Sequence, residues 1–455
     1  MKWGGVMKTP RSMGDFAGSD VQQLLDVAEA RFENRNCWVI RVPARLCLAA
    51  DHTDYWHAFT PELVTFASDS CMMRAVISPR TDSQVRMFNT GEFEDCQFDL
   101  NDGAPPRATG ANSWLEWLDA CGTPTPHWSN YVRGSVRHAQ MHHDVKIGFD
   151  LLIDSNIPSA SGASSSSALA TCASIAIRLV NDLPLEQSSL VEETADAEWY
   201  VGTRGGMMDH ATMMFAETGK MLRLTFRPFT ARTIDSPAQL AGYRFVTIFT
   251  HPSDKGTSTQ LAFNARALAA RDVIPQMLVD STGDLPDLLD VSEVSDDIMR
   301  KYPALQAAGE GELRINDWLA FARGELQRSQ EVQVLLQSNG DMITLGSYMD
   351  QAWSDAGELY GIRTPQMDQI ANLCRGCDGV AGLKVMGAGF GGNLLALVRE
   401  DCLESLRNIL AENQNLFTRP VGDSILVHNP GQGVSIMSGP EGDMNWSPLW
   451  PTTEV

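Results

Sequence analysis

The stretch Ser161-Gly162-Ala163-Ser164-Ser165-Ser166-Ser167-Ala168-Leu169 lies between an apolar, strand-like run and the start of an amphipathic helical pattern. Its small side chains let the backbone approach a polyanion closely, and free N–H groups at a helix start bind anionic oxygens. A serine hydroxyl can also ligate Mg²⁺. The stretch therefore indicates a phosphate-binding loop. The alternative interpretations are a flexible Ser-rich linker and an ordinary N-cap.

The surroundings of this loop argue against a linker. A predicted strand over Phe149–Ile153 precedes it, and a predicted helix over Ala168–Leu179 follows it, so the loop is short and set tightly between regular elements. The chain contains no GxxxxGK[ST] pattern, which excludes a Walker A loop.

Outward from the loop, predicted strands and helices mix along the chain, which indicates an α/β (α+β) fold class. Asp20 is predicted to cap a first helix, and Cys37–Leu48 is predicted as a strand. Leu63–Phe66 and Met72–Ser78 are predicted as two further strands. The polar stretch Thr233–Gln239 is the predicted boundary between two parts of the chain.

A second glycine-rich stretch lies near the other end of the chain, in Lys384-Val-Met-Gly387-Ala-Gly389-Phe-Gly-Gly392. Its glycines satisfy GxGxxG, the dinucleotide fingerprint, which would suggest an NAD-dependent oxidoreductase. A Rossmann loop, however, opens a helix in an early βαβ unit, whereas this loop is followed by the strand-like Leu394–Val398. A glycine loop between two strands favours close packing against another loop.

Two further stretches carry candidate polar ligands. An apolar strand from Arg45 ends in Asp51, His52 and Asp54, which are acceptors suited to a polyhydroxylated ligand, although a solvated turn is the plainer reading of such a cluster. Asp209 stands alone among glycines and methionines, where it could accept a hydroxyl proton or cap a helix.

Composition limits the partners of the protein. A chain of 455 residues predicts two or three domains at roughly 100–200 residues each. The chain has 35 basic and 57 acidic residues and a net charge of −22, which disfavours nucleic acid and anionic lipid. A small anionic ligand held by backbone amides and a metal remains compatible with this charge.

The cysteines and the apolar runs predict a cytoplasmic location. Nine scattered cysteines, an odd number, are typical of reduced thiols in the cytosol. Cys374 and Cys377 form a lone CxxC, which favours a helix end over a zinc site. No run reaches the ~18 apolar residues of a spanning helix, so no membrane association is expected. The tail from Asn429, rich in Gly, Pro and Ser, is predicted to be an extended arm or partly disordered.

In this order, the motifs resemble those of the GHMP small-molecule kinases, and most closely those of its galactokinases. The family's GRVNLIGEHTDY, GGGLSSSAS, GIMDQ and MTGGGFGGC are matched by Ala44–Tyr55, Ser161–Leu169, Met207–His210 and Val385–Asn393. The resemblance covers roughly residues 37–400 and includes His127–Gly134, which is similar to the family's RWxNYVKG.

The resemblance implies a two-domain GHMP-kinase fold with the active site in the cleft between the domains. The expected division is an N-terminal domain over residues 1–235, a C-terminal domain over 236–430 and a tail over 431–455. The implied activity is ATP-dependent transfer of a phosphoryl group to the anomeric C1 hydroxyl of galactose or a related monosaccharide. The implied partners are a sugar and MgATP, and the expected state is a monomer or a weak homo-oligomer.

The resemblance also assigns candidate site residues. Asp209 is expected to face the acceptor hydroxyl, steadied by Arg45. The residues expected to bind or brace the nucleotide are Gly162, Ser164, Ser165, Ser166, Trp128 at the adenine, Gly387 and Gly389. The residues expected to bind the sugar are Asp51, His52, Asp54, Gly206 and Phe263. The Mg²⁺ ligands are expected to be Ser165 or Ser166, with Glu198 as a second ligand.

Departures from the family pattern concentrate in the sugar half. Asp51 stands where galactokinases have Glu, Trp56-His57-Ala58 replaces Asn-Gly-Gly, and Phe263 replaces a sugar-binding tyrosine. Leu46-Cys47 replaces the signature Asn. Arabinose, fucose, a uronic acid and an N-acetylhexosamine therefore stay open as acceptors. A catalytically inactive sugar and ATP sensor is a further alternative, against which the retained Asp209 and Arg45 argue.

Overall fold

The computed structural model describes residues 9–16, 20–254, 256–301, 314–437 and 446–450. Its first sheet contains eleven strands, which are antiparallel apart from one parallel pair. They are β1 (Arg11–Ser12), β2 (Asn36–Ala49), β3 (Leu63–Pro79), β4 (Gln84–Asn89), β5 (Cys96–Asp99), β6 (Phe149–Ser155), β7 (Lys220–Phe226), β8 (Phe229–Asp235), β13 (Pro430–Gly431), β14 (Ser435–Met437) and β15 (Trp446–Pro448).

The order across this sheet is β15-β14-β2-β3-β6-β4-β5, with β7 and β8 attached to the start of β3. The second sheet is antiparallel in the order β10-β11-β9-β12. Its strands are β9 (Tyr243–His251), β10 (Val380–Val385), β11 (Gly392–Arg399) and β12 (Ile425–His428).

Helices cover both sheets, and the predicted mixed α/β class is confirmed. We call the chain up to Asp235 the first half and the chain from Tyr243 to His428 the second half. The helices of the first half are α1 (Gln22–Arg31), α2 (Ser113–Cys121), α3 (Ser129–His142), α4 (Ser165–Val180), α5 (Gln187–Glu198) and α6 (Met208–Phe215). In the second half they are α7 (Thr257–Leu268), α8 (Ile274–Thr282), α9 (Asp296–Met299), α10 (Ile315–Gln337), α11 (Met342–Glu358), α12 (Pro365–Arg375), α13 (Leu403–Glu412) and α14 (Val421–Ser424).

Helix α4 is the central helix of the first half, and its composition explains its position. Every residue from Ser167 to Arg178 is buried, because alanines and other small residues let α3, α5 and the strands approach it closely. Its N-terminus follows the Ser-rich loop directly, so the packing of the core sets the orientation of that loop.

The turn after β2 joins the two halves. Tyr55 and Trp56 are each 1% exposed and pack into the hydrophobic cluster of the second half, beside residues such as Phe321 and Tyr360. The motif that begins on a strand of the first sheet therefore ends inside the core of the other half, which fixes the two halves against each other.

Three local predictions differ from the structure. Leu63–Phe66 and Met72–Ser78 are parts of one strand, β3, because polar residues in its middle still pair with neighbouring backbone. The predicted boundary at Thr233–Gln239 begins inside β8, which sequence reasoning missed. The N-cap position of α1 is Val21 and not Asp20. The chain passes from the first sheet to the second between Asp235 and Tyr243.

The segment after Asn429 returns to the first sheet instead of forming a free arm. Within the described part of this segment, β14 pairs with β2, and Ile436 and Met437 are almost completely buried. Predicted disorder is wrong for these residues, because their apolar side chains complete the core beside β2. Residues 438–445 and 451–455 lie outside the described residues. Among the helices that the structure describes, none has the length and apolar character needed to cross a bilayer.

Candidate active site

Asp209 lies at the centre of the candidate site, in the first turn of α6. Arg45, from β2, donates through Nε to Asp209 Oδ1. The Ser164 hydroxyl donates to Asp209 Oδ2, and Ser167 Oγ lies 3.1 Å from the same oxygen. Two segments that are distant in sequence from α6 therefore hold one carboxylate, and the expected contact between Asp209 and Arg45 is present.

The charge of Asp209 is stabilised by these neighbours. Burial by itself would raise the pKa of this carboxyl, but the Arg45 charge and the Ser164 hydrogen bond outweigh it, and the pKa lies below its ordinary value. Arg45 is 4% exposed and donates a second hydrogen bond, of 2.8 Å, from Nη1 to Gly162 O. Asp209 is thus ionised at neutral pH and tied to the Ser-rich loop.

The Ser-rich loop enters α4 through two left-handed backbone positions, Gly162 (φ 79°) and Ser164 (φ 61°). The first N–H groups of α4, from Ser165 onward, have no carbonyl partner within the helix, as at any helix start. With the positive end of the helix dipole they provide donors for phosphate oxygens. The Ser164 side chain itself is turned away from this role, since its hydroxyl holds Asp209.

The second glycine stretch packs directly on this loop. A Cβ at Gly387 would lie 2.5 Å from Gly162 O, and a Cβ at Gly162 would lie 2.5 Å from Met386 O, so a larger residue at either position would push the loops apart. Asn393 N–H also donates to Ser161 O, at 2.8 Å. The GxGxxG pattern opens β11 and no helix, which is not the Rossmann arrangement.

Oxygen donors suited to Mg²⁺ meet beside Asp209. Ser167 Oγ donates to Oε2 of Glu198, at 2.8 Å, and Glu198 is the last residue of α5. Within the described residues, no three His, Cys, Asp or Glu side chains are placed to hold a metal alone. A hydroxyl and a carboxylate completed by nucleotide phosphates form the kind of ligand set that Mg²⁺ uses.

Ser167 is a further candidate metal ligand that the sequence analysis did not name. The structure directs its hydroxyl to Glu198, while Ser166 lies against Tyr131. One residue along an α-helix rotates a side chain by about 100°, so neighbouring serines at the start of α4 face different groups. Ser165 or Ser166 as a metal ligand stays a prediction.

Asp54 and Gly206, both predicted to bind the sugar, lie together beside the turn that carries Asp209. Asp54 Oδ2 accepts a hydrogen bond of 3.1 Å from the backbone N–H of Met208, the residue before Asp209. A Cβ at Gly206 would lie 2.2 Å from the same carboxylate oxygen, so only glycine fits there. Burial and the nearby charge of Asp209 raise the pKa of Asp54 to about 6.

Asp51 and His52 have other partners in the structure. Asp51 Oδ2 accepts from Lys384 Nζ at 2.9 Å, and both side chains are buried. His52 contacts Tyr55 Oη through Nδ1, at 3.1 Å, and Gly387 O through Nε2, at 3.0 Å. These contacts join the turn after β2 to the glycine loop. A direct bond from His52 to sugar would have to replace one of them.

The two aromatic candidates lie at different places. Phe263, on α7, is half-buried, and its ring centroid lies 6.3 Å from that of His52 and 6.1 Å from that of Tyr55. Trp128 immediately precedes α3, and its Nε1 donates to Glu94 O at 3.1 Å. A sugar contact for Phe263 and an adenine contact for Trp128 stay predictions.

A clamp from α7 holds the loop that precedes Asp209. Asn264 donates to Gly202 O at 2.8 Å and accepts from Arg204 N–H at 3.0 Å. Gln260, one turn earlier on α7, donates to Val201 O at 3.2 Å. Residues 201–206 belong to the first half, so the second half positions the backbone that leads to the central carboxylate.

Comparison with known proteins relates the chain to one group of kinases. The family model described as "GHMP kinases N terminal domain" matches residues 130–217, and "GHMP kinases C terminal" matches residues 332–416. A galactokinase of Chloroflexus aurantiacus is 27% identical over 413 residues, covering 89% of this chain and 94% of that protein. The chain thus carries the N-terminal and C-terminal domains of GHMP kinases. A galactokinase of Chloroflexus aggregans is likewise 27% identical, over 80% of this chain and 84% of that protein.

The crystal structure of Lactococcus lactis galactokinase complexed with galactose superposes on this GHMP kinase with a TM-score of 0.71. The two are 21% identical, and the match covers 90% of this chain and 97% of that one. This likeness confirms the predicted two-domain GHMP-kinase fold. The similarity to galactokinases makes the chain a galactokinase-like kinase, so the predictions of family and enzyme class are confirmed.

Several site residues of this GHMP kinase escaped the sequence analysis. Ser167 lies within the Ser-rich loop, and its position directly before the predicted helix at Ala168 was the signal that could have made it a candidate ligand. Lys384 was quoted only as the residue before the glycines. Asn264 and Gln260 carried no signal, because an i, i+4 pair of amides on a helix is ordinary until the fold places a loop beside it.

Proposed function

We propose that the protein is an ATP-dependent kinase that transfers the γ-phosphoryl group to the anomeric C1 hydroxyl of galactose or a related monosaccharide. The observation that carries the proposal is the placement of ionised Asp209 between the phosphate-binding end of α4 and the acceptor-side Asp54. The names of the galactokinase relatives, and the galactose in the Lactococcus complex, support a sugar as the acceptor.

In this proposal the phosphate groups of ATP lie at the N-terminus of α4. The N–H groups of Ser165, Ser166 and Ser167 donate to phosphate oxygens, and Gly162 lets the backbone approach them. Gly387 braces this loop from the other half, whereas Gly389 packs against Ile362, so its predicted part in nucleotide binding would be indirect. Trp128 lines the adenine pocket, and the net charge of −22 is offset locally by these dipoles and by Arg45.

Asp209 accepts the hydrogen bond of the acceptor hydroxyl and directs its oxygen at the γ-phosphorus. The new bond joins this oxygen to phosphorus, the bond from phosphorus to the β,γ-bridging oxygen breaks, and ADP leaves with that electron pair. The hydroxyl proton passes to Asp209 and then to solvent. Because the pKa of Asp209 is low, orientation contributes more than base strength, as expected for a loose phosphoryl-transfer transition state.

Mg²⁺ would be held by Ser167 and Glu198 together with nucleotide phosphates, as the oxygen donors beside Asp209 allow. When bound, the ion supplies neutralisation of the phosphate charge. Arg45 supplies the corresponding positive charge from the protein, at the side of Asp209.

The identity of the sugar depends on the acceptor side. Asp54 offers one carboxylate oxygen beyond its bond to Met208 N–H, and Phe263 lacks the hydroxyl of the tyrosine that galactokinases carry. Loss of one hydrogen-bond partner in such a site changes discrimination by up to about 10⁴-fold. Galactose heads the list of acceptors, and arabinose, fucose, a uronic acid and an N-acetylhexosamine follow it.

Location and assembly complete the proposal. The reduced, mostly buried cysteines and the galactokinase relatives support a cytoplasmic enzyme. We propose a monomer or a weak homo-oligomer.

The test is ADP release from MgATP across a panel of free sugars, followed by NMR of the phosphorylated product to locate the phosphate. We expect turnover of at least one sugar with phosphate on C1. Asp209→Asn should lower kcat by about 10²–10⁴-fold. Asp401→Asn, which removes an exposed carboxylate paired with Arg399, is the matched control and should leave kcat unchanged. Binding of ATP and sugar without turnover would contradict the kinase proposal and favour the alternative, a catalytically inactive sensor of sugar and ATP.

A further inference from the structure

His210 follows Asp209 directly and is 1% exposed, on a helix packed against α4 and α5. Its Nε2 lies 3.1 Å from Oε2 of Glu198. Its Nδ1 has no hydrogen-bond partner among the described residues. Nε2 likewise makes no aligned hydrogen bond among these residues, so its close contact with Glu198 is the polar contact that the structure gives this imidazole. A buried imidazole with so few polar partners is unusual and calls for a functional explanation.

The contact concerns one particular oxygen of Glu198. Oε2 receives both the Ser167 hydroxyl, at 2.8 Å, and the His210 ring nitrogen, at 3.1 Å. The imidazole is not well aligned for a hydrogen bond, so the contact is a close polar one. Because Oε2 lies against these two groups, we take Oε1 as the oxygen that faces a ligand. The Glu198 side chain is 17% exposed, which is consistent with one oxygen turned outward.

Helical spacing places more unpaired polar atoms behind this contact. Thr171 lies one turn after Ser167 on α4, and Thr194 lies one turn before Glu198 on α5. The hydroxyls of both threonines are buried and have no partner among the described residues. These two hydroxyls therefore do not anchor Glu198, and His210 is a side chain that α6 brings against it.

We propose that His210 is a positioning residue for Glu198: through Nε2 it holds the carboxylate beside Ser167 and thereby sets the affinity of the site for the divalent cation of the nucleotide. This inference rests on the proposed function for the identity of the ligand as metal–ATP. Its role does not depend on a change of protonation. The galactokinase motif GIMDQ has Gln at this place, and the Gln side chain also carries an N–H donor of similar reach.

Two amide variants distinguish the contribution of Nε2 of His210 from that of Nδ1. Glutamine places its side-chain nitrogen near the position of Nε2, whereas asparagine places its nitrogen near the position of Nδ1. Mn²⁺ affinity is measured by electron paramagnetic resonance in the presence of a non-hydrolysable ATP analogue, without any sugar. We expect His210→Asn to weaken Mn²⁺ binding about tenfold or more, as losses of residues that orient metal ligands do. His210→Gln should bind Mn²⁺ as the wild type does.

Met214→Leu, a buried change one turn further along α6, is the matched control for packing and should not alter Mn²⁺ affinity. Thermal unfolding of each variant verifies the fold. Equal Mn²⁺ affinities of His210→Asn, His210→Gln and the wild type would overturn the proposal, and so would equal losses in both amide variants. A wild type that binds Mn²⁺–nucleotide but phosphorylates no sugar would contradict the proposed function and leave this comparison decisive.

Discussion

At the scale of single residues, the pKa values of two neighbouring carboxyl groups, Asp209 and Asp54, are shifted in opposite directions. Arg45 and Ser164 overcome the burial of Asp209 and hold its pKa low, whereas burial and the charge of Asp209 raise the pKa of Asp54 to about 6. Both residues are aspartates of one candidate site, so the difference between their pKa values comes from their neighbours and not from the residue type. The first is suited to orienting a hydroxyl at all physiological pH values, and the second titrates.

The pH profile of the enzyme should report Asp54. We expect kcat/KM for the sugar to fall as the pH decreases through about 6, because protonated Asp54 accepts hydrogen bonds from sugar hydroxyls poorly. Asp54→Asn should lower kcat/KM and abolish this limb of the profile. Asp196, whose pKa is also raised to about 6, supplies the control, since Asp196→Asn should keep the limb. If kcat/KM of Asp54→Asn still fell as the pH decreased through about 6, Asp54 would not be the group that titrates.

The same shift predicts a dependence of stability on pH. Because the pKa of Asp54 is higher in the folded protein than its ordinary 3.8, ionisation of Asp54 costs folding free energy once the pH exceeds about 4, and the full cost applies above about 6. Asp54→Asn should therefore have a higher Tm than the wild type at pH 8. Circular dichroism melts should show this difference vanishing towards pH 4; a Tm difference independent of pH would contradict the prediction.

At the scale of elements, helices of both halves converge on one short loop. Helix α6 begins with the Asp209 turn, and α4 begins with the Ser-rich loop. Helix α7 clamps residues 201–204 through Gln260 and Asn264. The clamp uses backbone groups of the loop, so it fixes the path of the chain into Asp209 and leaves the side chains of the site free for ligands.

Loss of the clamp should impair catalysis more than stability. Asn264→Ala removes one bond to Gly202 O and one from Arg204 N–H, so the loop gains freedom and Asp209 is less often aligned. We expect kcat to fall about tenfold with a small change in Tm, measured by ADP release and thermal melts. Leu261→Ala changes a 50% exposed residue of the same helix and should leave kcat unchanged. Equal kcat values for the two variants would contradict the clamp.

At the scale of the whole molecule, buried polar contacts join the halves. Lys384 in β10 pairs with Asp51 after β2, and its Nζ also donates to Cys47 O at 3.2 Å. The charge of Asp51 raises the pKa of Lys384 although burial opposes this, so the pair remains ionised inside the protein. Together with Tyr55 and Trp56 in the core of the second half, the pair makes the two halves one structure.

Breaking this pair should destabilise the protein as a whole. Lys384→Met leaves Asp51 charged and buried without its partner, which typically costs about 3–5 kcal/mol in the free energy of unfolding. The double variant Lys384→Met with Asp51→Leu should regain most of that loss. Urea unfolding followed by tryptophan fluorescence measures both, and a double variant less stable than Lys384→Met would contradict the prediction. Arg399→Met, at an exposed ion pair, is the control and should change stability little.

The sequence alone was enough to predict those secondary-structure elements and candidate site residues that depend on local patterns. The Ser-rich loop before α4, the carboxylate of Asp209 and the apolar strand that carries Arg45 were predictable, because small residues, a helix start and a run of β-branched residues act over a few positions. The order of four motifs was enough to predict the family and the two-domain fold.

Only the tertiary structure decided which partners these residues have. It chose Ser167 over its neighbours for Glu198, brought His210 to the same oxygen, and gave Asp51 to Lys384 across 333 positions of sequence. It also returned the segment after Asn429 to the first sheet. Which side chain of a helix faces a given group, and which distant segments meet, depend on the packing of the whole hydrophobic core. No local pattern of residue types encodes that packing.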